Sequence, residues 1–303
     1  MGELRAATIL VGVDGSSESL VAARWAAGEA ERRQLSLLMI LATSEPVKDH
    51  SDYVFPPAVL EAGRRVNQKR LDSAVATIRA EFPALTVRTS LEPADPRNAL
   101  VSASRDVQLT VVGTRGRGRL SEVLVGSVAL YVAAHAASPV AVVPPSADVT
   151  KTAPTGPVLV GVDGHPDSSA AVGYAFDEAA VRETELLAVL VFDDLDYRGF
   201  AKGANLIGRL DDDEEQAVLA EELAGWCEKY PDVPVRRFVL RGRPAERLLG
   251  YAKDRPAVHR PKLIVVGSRG RGSLSGLVLG STSQRLITHA HVPVIVVRPD
   301  SEG

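Results

Sequence analysis

The chain has 303 residues, of which 24% are charged and 45% hydrophobic, and its formal net charge is −3. This balance argues against a nucleic-acid-binding protein, which usually carries a basic domain. No apolar run approaches the ~20 residues that span a bilayer, so no membrane partner is expected. The first residues lack the apolar core and cleavage site of a signal peptide, which makes a cytoplasmic location the expectation. The single cysteine, Cys227, excludes an intrachain disulfide and a cysteine metal cluster.

Short β-branched runs alternate with longer amphipathic segments along the first half of the chain. Leu20, Ala23, Ala27 and Ala30 recur at roughly helical spacing, which predicts a helix after the first strand. Apolar strands separated by helices predict a parallel sheet with helices on both faces. The predicted elements in chain order are a strand at Thr8–Val13, a helix at Ser17–Arg33, a strand at Leu35–Leu41, a helix at Pro57–Ala80, a strand at Leu85–Leu91, a helix at Pro96–Arg105, a strand at Leu109–Val112, a helix at Ser127–Ala137 and a strand at Val140–Val143.

The second half of the chain repeats the landmarks of the first in the same order. Each half has a strand that ends in Val-Asp-Gly, a glycine-rich run, a Gly-Ser pair and a final valine-rich strand. Such a repeat indicates a duplicated domain. The stretch 144–157 is rich in Pro, Ser and Thr and has no apolar periodicity, which marks a linker. We therefore place the domains at residues 1–147 and 154–303.

Two elements of each half are placed to bind a ligand. In open α/β sheets, ligands bind beyond the carboxyl ends of the strands where the strand order reverses. The segment Gly12–Gly15 follows the first strand, and the glycine-rich loop that begins at Gly113 follows the fourth. Glycines let the backbone approach an anion closely, and the helix that starts near Ser127 offers unsatisfied N–H groups. Arg115 and its counterpart Arg269 add positive charge.

An acidic residue faces this predicted phosphate cradle in both halves. A carboxylate at Asp14 or Asp163 would repel phosphate, but it accepts hydrogen bonds from ribose hydroxyls or an exocyclic amine. The combination therefore favours a nucleotide over a bare phosphate. An alternative is that these aspartates only cap the following helix or stabilise the turn.

Several motifs are absent from the sequence, and their absence narrows the function. There is no G-x-x-x-x-G-K-[ST], so the chain is not a P-loop NTPase, and the first strand is not followed by G-x-G-x-x-G. There is also no G-x-S-x-G nucleophile motif. We therefore predict no catalytic residue and no metal-ligating residue.

The glycine spacing carries a specific resemblance. Gly113-x2-Gly116-x9-Gly126-Ser127 and Gly267-x2-Gly270-x9-Gly280-Ser281 follow the G-x2-G-x9-G-[ST] pattern of ATP-binding universal stress proteins. The Val-Asp-Gly-Ser start and the final Pro-Val-x-Val-Val strands also resemble that family. The resemblance covers nearly the whole chain, twice.

This resemblance implies a fold, a ligand and a set of contacts. It implies two tandem five-stranded parallel-sheet domains, Rossmann-like, with helices on both faces, strand order 3-2-1-4-5 and ATP between the first and fourth strands. It implies adenosine contacts from Asp14 and Asp163, adenine contacts from Ile40 and Val191, and phosphate contacts from the motif glycines and serines. The predicted cofactor-binding residues are Gly12, Asp14, Ile40, Gly113, Arg115, Gly116, Gly126, Ser127, Val128, Gly161, Asp163, Val191, Gly267, Arg269, Gly270, Gly280, Ser281 and Thr282.

Two departures from the family pattern predict that the sites differ. The family often carries Gly-x-Pro before the third helix; the second copy has Gly242-Arg243-Pro244, whereas the first has Ala94-Asp95-Pro96. The second copy also replaces the Gly-Ser-Ser-Glu turn of the first by Gly164-His165-Pro166-Asp167. One site is therefore expected to be the weaker.

The function implied is that of an ATP-binding regulator of a stress or dormancy response that works through nucleotide occupancy. Mg²⁺ is expected with the triphosphate, and a homodimer of two-domain chains is expected from the family. The chain is not expected to be an enzyme, because no positioned base or nucleophile is evident. Two alternatives stay open: an interaction module without useful nucleotide affinity, and a slow ATPase.

Overall fold

A computed structural model describes residues 6–44, 56–114, 125–149, 156–164, 168–192, 212–253, 259–269 and 279–299. The chain divides into two compact units, Met1–Ala153 and Pro154–Gly303. Within the described residues, no helix combines the length and the apolar composition that crossing a membrane requires.

The first unit is a parallel sheet with the strand order β3-β2-β1-β4-β5. Because β1 pairs with β2 on one side and with β4 on the other, the strand order reverses at β1. The elements in chain order are β1 (Ala6–Gly12), α1 (Ser17–Arg32), β2 (Ser36–Ala42), α2 (Pro57–Glu81), β3 (Val87–Glu92), α3 (Pro96–Ala103), β4 (Val107–Gly113), α4 (Ser127–His135) and β5 (Val140–Val143).

The second unit repeats this arrangement with the strand order β8-β7-β6-β9-β10. Here β6 lies between β7 and β9, so that the order reverses at β6. The elements are β6 (Val158–Val162), α5 (Ser169–Val181), β7 (Leu186–Phe192), α6 (Asp212–Lys229), β8 (Val235–Arg241), α7 (Pro244–Lys253), β9 (Leu263–Gly267), α8 (Ser281–His289) and β10 (Val294–Val297).

The central strands are apolar on both faces because helices cover the sheet on both sides, as is typical of parallel sheets. All four residues of β5 and all four of β10 are buried. The first helix of each unit packs on the sheet through small residues: Ala22, Ala26 and Ala30 of α1 and Ala171, Ala175 and Ala179 of α5 are fully buried. The predicted fold class is therefore confirmed.

An aromatic cluster fixes α6 against α5 in the second unit. The rings of Phe176, Trp226 and Tyr230 pack together in a triangle, with centroids 5.8 to 6.4 Å apart. The six-membered ring of the Trp226 indole packs directly against Gly173 of α5. A Cβ at that position would lie 2.5 Å from Cζ2 of Trp226 and closer still to Cη2. The absence of a side chain at Gly173 therefore sets the distance between the two helices.

The third helix of the first unit ends earlier than the predicted Pro96–Arg105. Its last turn tightens into a 3₁₀ turn at Ser104–Asp106. The Ser104 hydroxyl donates to the carbonyl of Val101 at 2.7 Å and accepts from the N–H of Ala137 at 2.9 Å. This buried hydroxyl joins the end of α3 to the segment that follows α4, which sequence periodicity does not reveal.

Candidate functional site

The carboxyl ends of β1 and β4 lie side by side where the strand order of the first unit reverses. Val11 pairs with Val111 in this part of the sheet, and Gly12 pairs with Ile40 of β2. The N–H of Val13 donates to the carbonyl of Ile40 at 2.8 Å, which continues the ladder to the edge. This is the position at which α/β sheets bind ligands.

The N-terminus of α4 is held at this same edge by backbone hydrogen bonds. The N–H of Thr114 donates to the carbonyl of Val143 at 3.0 Å, and the N–H of Gly126 donates to the carbonyl of Thr114 at 2.7 Å. Gly126 is the N-cap of α4, and no side chain of the described residues caps it. Ser127 and Val128 begin the helix, and Ser127 is exposed. The first-turn N–H groups and the helix dipole make this end suited to an anion.

The second unit builds the same arrangement from β9, β10 and α8. The N–H of Ser268 donates to the carbonyl of Val297 at 2.8 Å, and the N–H of Gly280 donates to the carbonyl of Ser268 at 2.7 Å. Gly280 is the N-cap of α8, again without a side-chain cap among the described residues. Ser281, exposed, and Thr282, half-buried, begin the helix.

Gly267 and Gly280 of the second unit have little room for a side chain. A Cβ at Gly267 would lie 3.2 Å from the carbonyl oxygen of Arg269, and one at Gly280 would lie 3.3 Å from that of Ser268. Both neighbours are backbone atoms, which cannot move aside as a flexible side chain would. These glycines therefore keep the backbone close-packed directly beside the start of α8.

The Asp14 carboxylate takes part in the turn that starts α1. Its Oδ1 accepts hydrogen bonds from the N–H of Ser16 at 3.0 Å and from the Ser16 hydroxyl at 2.6 Å. The Ser16 oxygen in turn accepts from the N–H of Ser19 at 3.1 Å and so caps the helix. Asp14 thus has the turn-stabilising role that the sequence left as an alternative, and its half-buried carboxylate still lies at the edge. Asp163 follows β6 at the corresponding place and is also half-buried.

Gly12 and Gly161 have a packing role rather than an evident ligand role. A Cβ at Gly12 would lie 2.8 Å from Cδ1 of Leu100 in α3, and one at Gly161 would lie 3.0 Å from Cδ1 of Leu248 in α7. The two leucines occupy the same place in the two units. Both glycines therefore allow the third helix of their unit to pack closely against the central strand.

The predicted adenine contacts Ile40 and Val191 do not occupy equivalent positions. Ile40 pairs with Gly12, whereas the residue that pairs with Gly161 is Val189. Val191 lies two residues further along its strand, at the position of Ala42. Side chains two residues apart point to the same face of a strand. Val189 is therefore the register counterpart of Ile40, and both are buried.

The loop before the third helix differs between the units. Gly242 has a φ of +122°, whereas Ala94 at the same position keeps a negative φ. Asp95 caps α3 by accepting from the N–H of Arg97 at 2.9 Å. The Arg97 guanidinium, hydrogen-bonded to Asp95, holds the pKa of that carboxyl below its ordinary value. The substitution of Gly-x-Pro by Ala-Asp-Pro thus changes the backbone of the first unit here.

A polar group beside the first site is not suggested by any motif. Gly15 has a φ of +82°, and the aliphatic part of Arg70 packs over it, 3.1 Å from where a Cβ would stand. Arg70 donates to Asn67 at 2.8 Å, and Asn67 donates to the Thr43 hydroxyl at 3.4 Å. These residues are brought together only by the packing of α2 on the sheet.

A cavity of about 420 Å³ adjoins this group at the carboxyl ends of β2 and β3. Thr43, Asn67 and Arg64 form part of its polar lining, and Leu60 and Leu91 form part of its apolar lining. The volume is within the range of small-molecule pockets.

Three predicted residues, Arg115, Gly116 and Gly270, lie outside the described residues. Gly113 ends β4 in register with Val143, and Gly267 ends β9 in register with Val297. Arg269 is exposed. In the described part of the chain, no group of three or more His, Cys, Asp or Glu side chains is arranged to hold a metal ion.

Comparison with known proteins agrees with this architecture. The family model of the universal stress protein family matches residues 6–144 and 155–298. A universal stress protein of Mycolicibacterium smegmatis is 38% identical over 294 residues, which are 96% of this chain and 97% of the relative. One of Mycobacterium tuberculosis is 37% identical over 295 residues, 96% of both chains. The crystal structure of a universal stress protein from Archaeoglobus fulgidus has a TM-score of 0.70 at 20% identity, covering 97% of this chain and 99% of that chain.

The fold and the paired sites thus define a two-domain α/β protein with the same helix-terminus arrangement in each domain. The chain belongs to the universal stress protein family, and it carries the family domain twice.

Proposed function

We propose that each unit binds one ATP, with Mg²⁺, at the edge between β1 and β4 and between β6 and β9. The observation that carries the proposal is the uncapped N-terminus of α4 and of α8, fixed by the Gly126 and Gly280 N–H groups at the point where the strand order reverses. Helix N-termini at such points are suited to phosphate groups.

The rest of each edge suits the nucleoside. Ile40 and Val191, which lie near the carboxyl ends of β2 and β7, would supply the apolar contacts to adenine. Asp14 and Asp163 offer carboxylate oxygens just after β1 and β6. A carboxylate oxygen accepts more than one hydrogen bond, so Asp14 can stabilise the turn and also accept from a ribose hydroxyl.

Mg²⁺ fits this arrangement as a companion of the phosphates. Magnesium keeps several waters and is commonly bound through substrate phosphates rather than by an all-protein cage. The absence of an acidic or histidine cluster among the described residues is consistent with that mode. The triphosphate and water would therefore supply most of the Mg²⁺ ligands.

We place the chain among regulators that respond to nucleotide occupancy, rather than among enzymes. The Asp14 carboxylate, at the edge of the first site, is hydrogen-bonded within the turn that starts α1. Occupancy would act by favouring one arrangement of the loops over another. From the family resemblance we also propose a homodimer of two-domain chains.

Thermal unfolding of the full chain with Mg-ATP tests the proposal. A ligand that binds only the folded state at about 100 times its Kd stabilises that state by about 2.7 kcal/mol. For units of this size we expect Tm to rise by roughly 5–10 °C. The control is inorganic sulfate at the same concentration, which should raise Tm by less than about 2 °C.

A Tm that is the same with and without Mg-ATP would contradict the proposal and favour an interaction module. The amount of ATP that remains after incubation with the protein tests the slow-ATPase alternative. Steady conversion to ADP by the purified chain, above the rate without protein, would favour the slow ATPase.

A further inference from the structure

Ser268 lies where the last two strands of the second unit meet the start of α8. Its N–H donates to the carbonyl of Val297 at 2.8 Å, and its carbonyl accepts from the N–H of Gly280, the N-cap of α8, at 2.7 Å. A Cβ at Gly280 would lie 3.3 Å from the Ser268 carbonyl oxygen and 3.6 Å from Cα of Arg269. The backbone of Ser268 is therefore fixed in contact with the helix N-terminus at which we propose that phosphate binds.

The side chain of Ser268 lies on the face of the sheet that α7 covers. Val266 of β9 marks this face, because its Cγ1 and Cδ1 of Leu248 in α7 both lie within 3.1 Å of the point where a Cβ of Gly161 would stand. Residues two apart on a strand point to the same face, and the Ser268 N–H continues the ladder between β9 and β10. Since α8 packs against α7, the Ser268 hydroxyl points to the face on which α8 starts.

The Ser268 hydroxyl is buried without a partner. Ser268 is fully buried, and its Oγ has no hydrogen-bond partner within the described residues. A second buried serine nearby is satisfied, since Oγ of Ser283 in the first turn of α8 donates to the carbonyl of Gly267 at 2.6 Å. A buried hydroxyl without a partner costs free energy, and each one calls for an explanation such as a bound group.

The first unit places a hydroxyl at the same point of its own ladder. Thr114 is also buried. Its N–H donates to the carbonyl of Val143 at 3.0 Å, and its carbonyl accepts from the N–H of Gly126 at 2.7 Å. Ala129, in contrast, stands where the second unit has Ser283. The two units therefore share the hydroxyl at the end of the strand but not the one in the first turn of the helix.

We infer that the Ser268 hydroxyl donates a hydrogen bond to a phosphate oxygen of the nucleotide bound at the start of α8. This inference rests on the proposed nucleotide site and adds a side chain that the glycine motif does not predict. The N–H groups of the first turn meet the anion along the helix axis, and the hydroxyl adds a charge-assisted donor from the strand. Its backbone is held on both sides, so the donor is in place before the nucleotide arrives.

Calorimetric titration of the full chain with Mg-ATP tests the inference. Ser268→Ala is compared with Ser268 in a Ser127→Asp background, in which the first site is expected to be lost. We expect Ser268→Ala to weaken ATP binding about tenfold or more, because it removes a hydrogen bond to a charged group. The titration also counts the sites. If the first site survives Ser127→Asp, one of the two sites should weaken.

Thermal unfolding without nucleotide separates a ligand contact from a structural role. Ser268→Ala removes a buried polar atom that has no partner, so Tm should stay the same or rise. Ser104→Ala is the matched control, because it removes a buried hydroxyl that has two partners and lies before the start of β4, at the opposite edge of its sheet. Ser104→Ala should lower Tm and leave ATP affinity unchanged.

A conservative variant shows whether the hydroxyl itself is responsible. Ser268→Thr keeps a hydroxyl, as Thr114 does in the first unit, and should keep most of the ATP affinity. An equal loss of affinity in Ser268→Thr and Ser268→Ala would overturn the inference, because the loss would not follow the hydroxyl.

The outcomes separate the role of Ser268 from the proposed function. If ATP affinity is the same in Ser268→Ala, the hydroxyl does not contact the nucleotide while the nucleotide site stands. A lower Tm in that variant would then assign the hydroxyl to a buried water. If the unsubstituted chain does not bind Mg-ATP, the proposed function itself fails, and the inference fails with it.

Discussion

Replacing Ser127 and Ser281 by aspartate is expected to abolish nucleotide binding, with each substitution removing one of two sites. Each serine is exposed and is the first residue of its helix, directly after the N-cap glycine. A carboxylate there would lie within a few ångströms of the bound phosphate. At ~4 Å and an effective dielectric constant of ~20, the repulsion between two unit charges is about 4 kcal/mol, and we expect affinity to fall by about 100-fold or more.

This substitution separates a lost site from a lost fold. Acidic side chains in the first turn of a helix are stabilising, because they complement the helix dipole. The aspartate variants should therefore unfold at the same temperature as the unsubstituted chain or slightly above it. Ser127→Asn and Ser281→Asn serve as matched controls, because asparagine has nearly the shape of aspartate but no charge. These variants should keep most of the affinity.

Calorimetric titration with Mg-ATP gives the number of sites as well as the affinity. We expect about two sites in the unsubstituted chain, one in each single aspartate variant and none in the double variant. If Ser127→Asp and Ser281→Asp together still bind two ATP with unchanged affinity, the phosphates do not lie at the starts of α4 and α8.

Replacing Gly173 by alanine is expected to destabilise the second unit by about 3 kcal/mol, the upper part of the usual range for overpacking. The added Cβ would overlap the Trp226 ring. Movement of that ring is opposed by its contacts with Phe176 and Tyr230 and by the Lys229 ammonium, which lies 5.0 Å from its centroid. Phe176 is itself fully buried.

A second glycine on the partner helix provides a matched control of opposite sign. Gly225 lies in α6, next to Trp226 in sequence, and a Cβ there would meet nothing within 4 Å. Gly225→Ala should stabilise the unit by about 0.5–1 kcal/mol, because alanine is the better helix former. If both substitutions change the free energy of unfolding in the same direction, contact with Trp226 does not decide the effect of a side chain at position 173.

Denaturant unfolding measures both glycine effects. Calorimetry should accompany it, because two units in one chain can unfold in separate transitions. In a Trp226→Leu background the destabilising effect of Gly173→Ala should shrink markedly, since the atoms that the new Cβ would meet are gone. A Gly173→Ala effect of the same size in both backgrounds would assign it to helix propensity or to another neighbour.

Much of the fold follows from the sequence because it depends on local patterns. The alternation of apolar runs and amphipathic segments predicts strands and helices, and two sets of landmarks in one order predict two similar units. The strand order 3-2-1-4-5, however, came from the family resemblance. Given that strand order, Gly113 and Gly126 are expected at the carboxyl edge of the sheet. The sequence places Gly113 at the end of a strand and Gly126 at the start of a helix.

Other features of the site depend on contacts between distant residues. Ile40 and Val191 are predicted as counterparts but do not occupy equivalent register positions. An almost uniformly apolar strand such as β7 gives no sequence signal for its register. The packing role of Gly12 in β1 depends on Leu100, which lies far along the chain in α3.

A count of the nucleotide bound to the full chain tests most directly whether each unit holds one ATP. Purified protein is equilibrated with Mg-ATP, freed of unbound nucleotide and denatured, and the released nucleotide is identified and counted by mass spectrometry. We expect close to two adenine nucleotides per chain, released as ATP. A chain that releases no nucleotide after equilibration at millimolar Mg-ATP would contradict it and leave the interaction module as the better description.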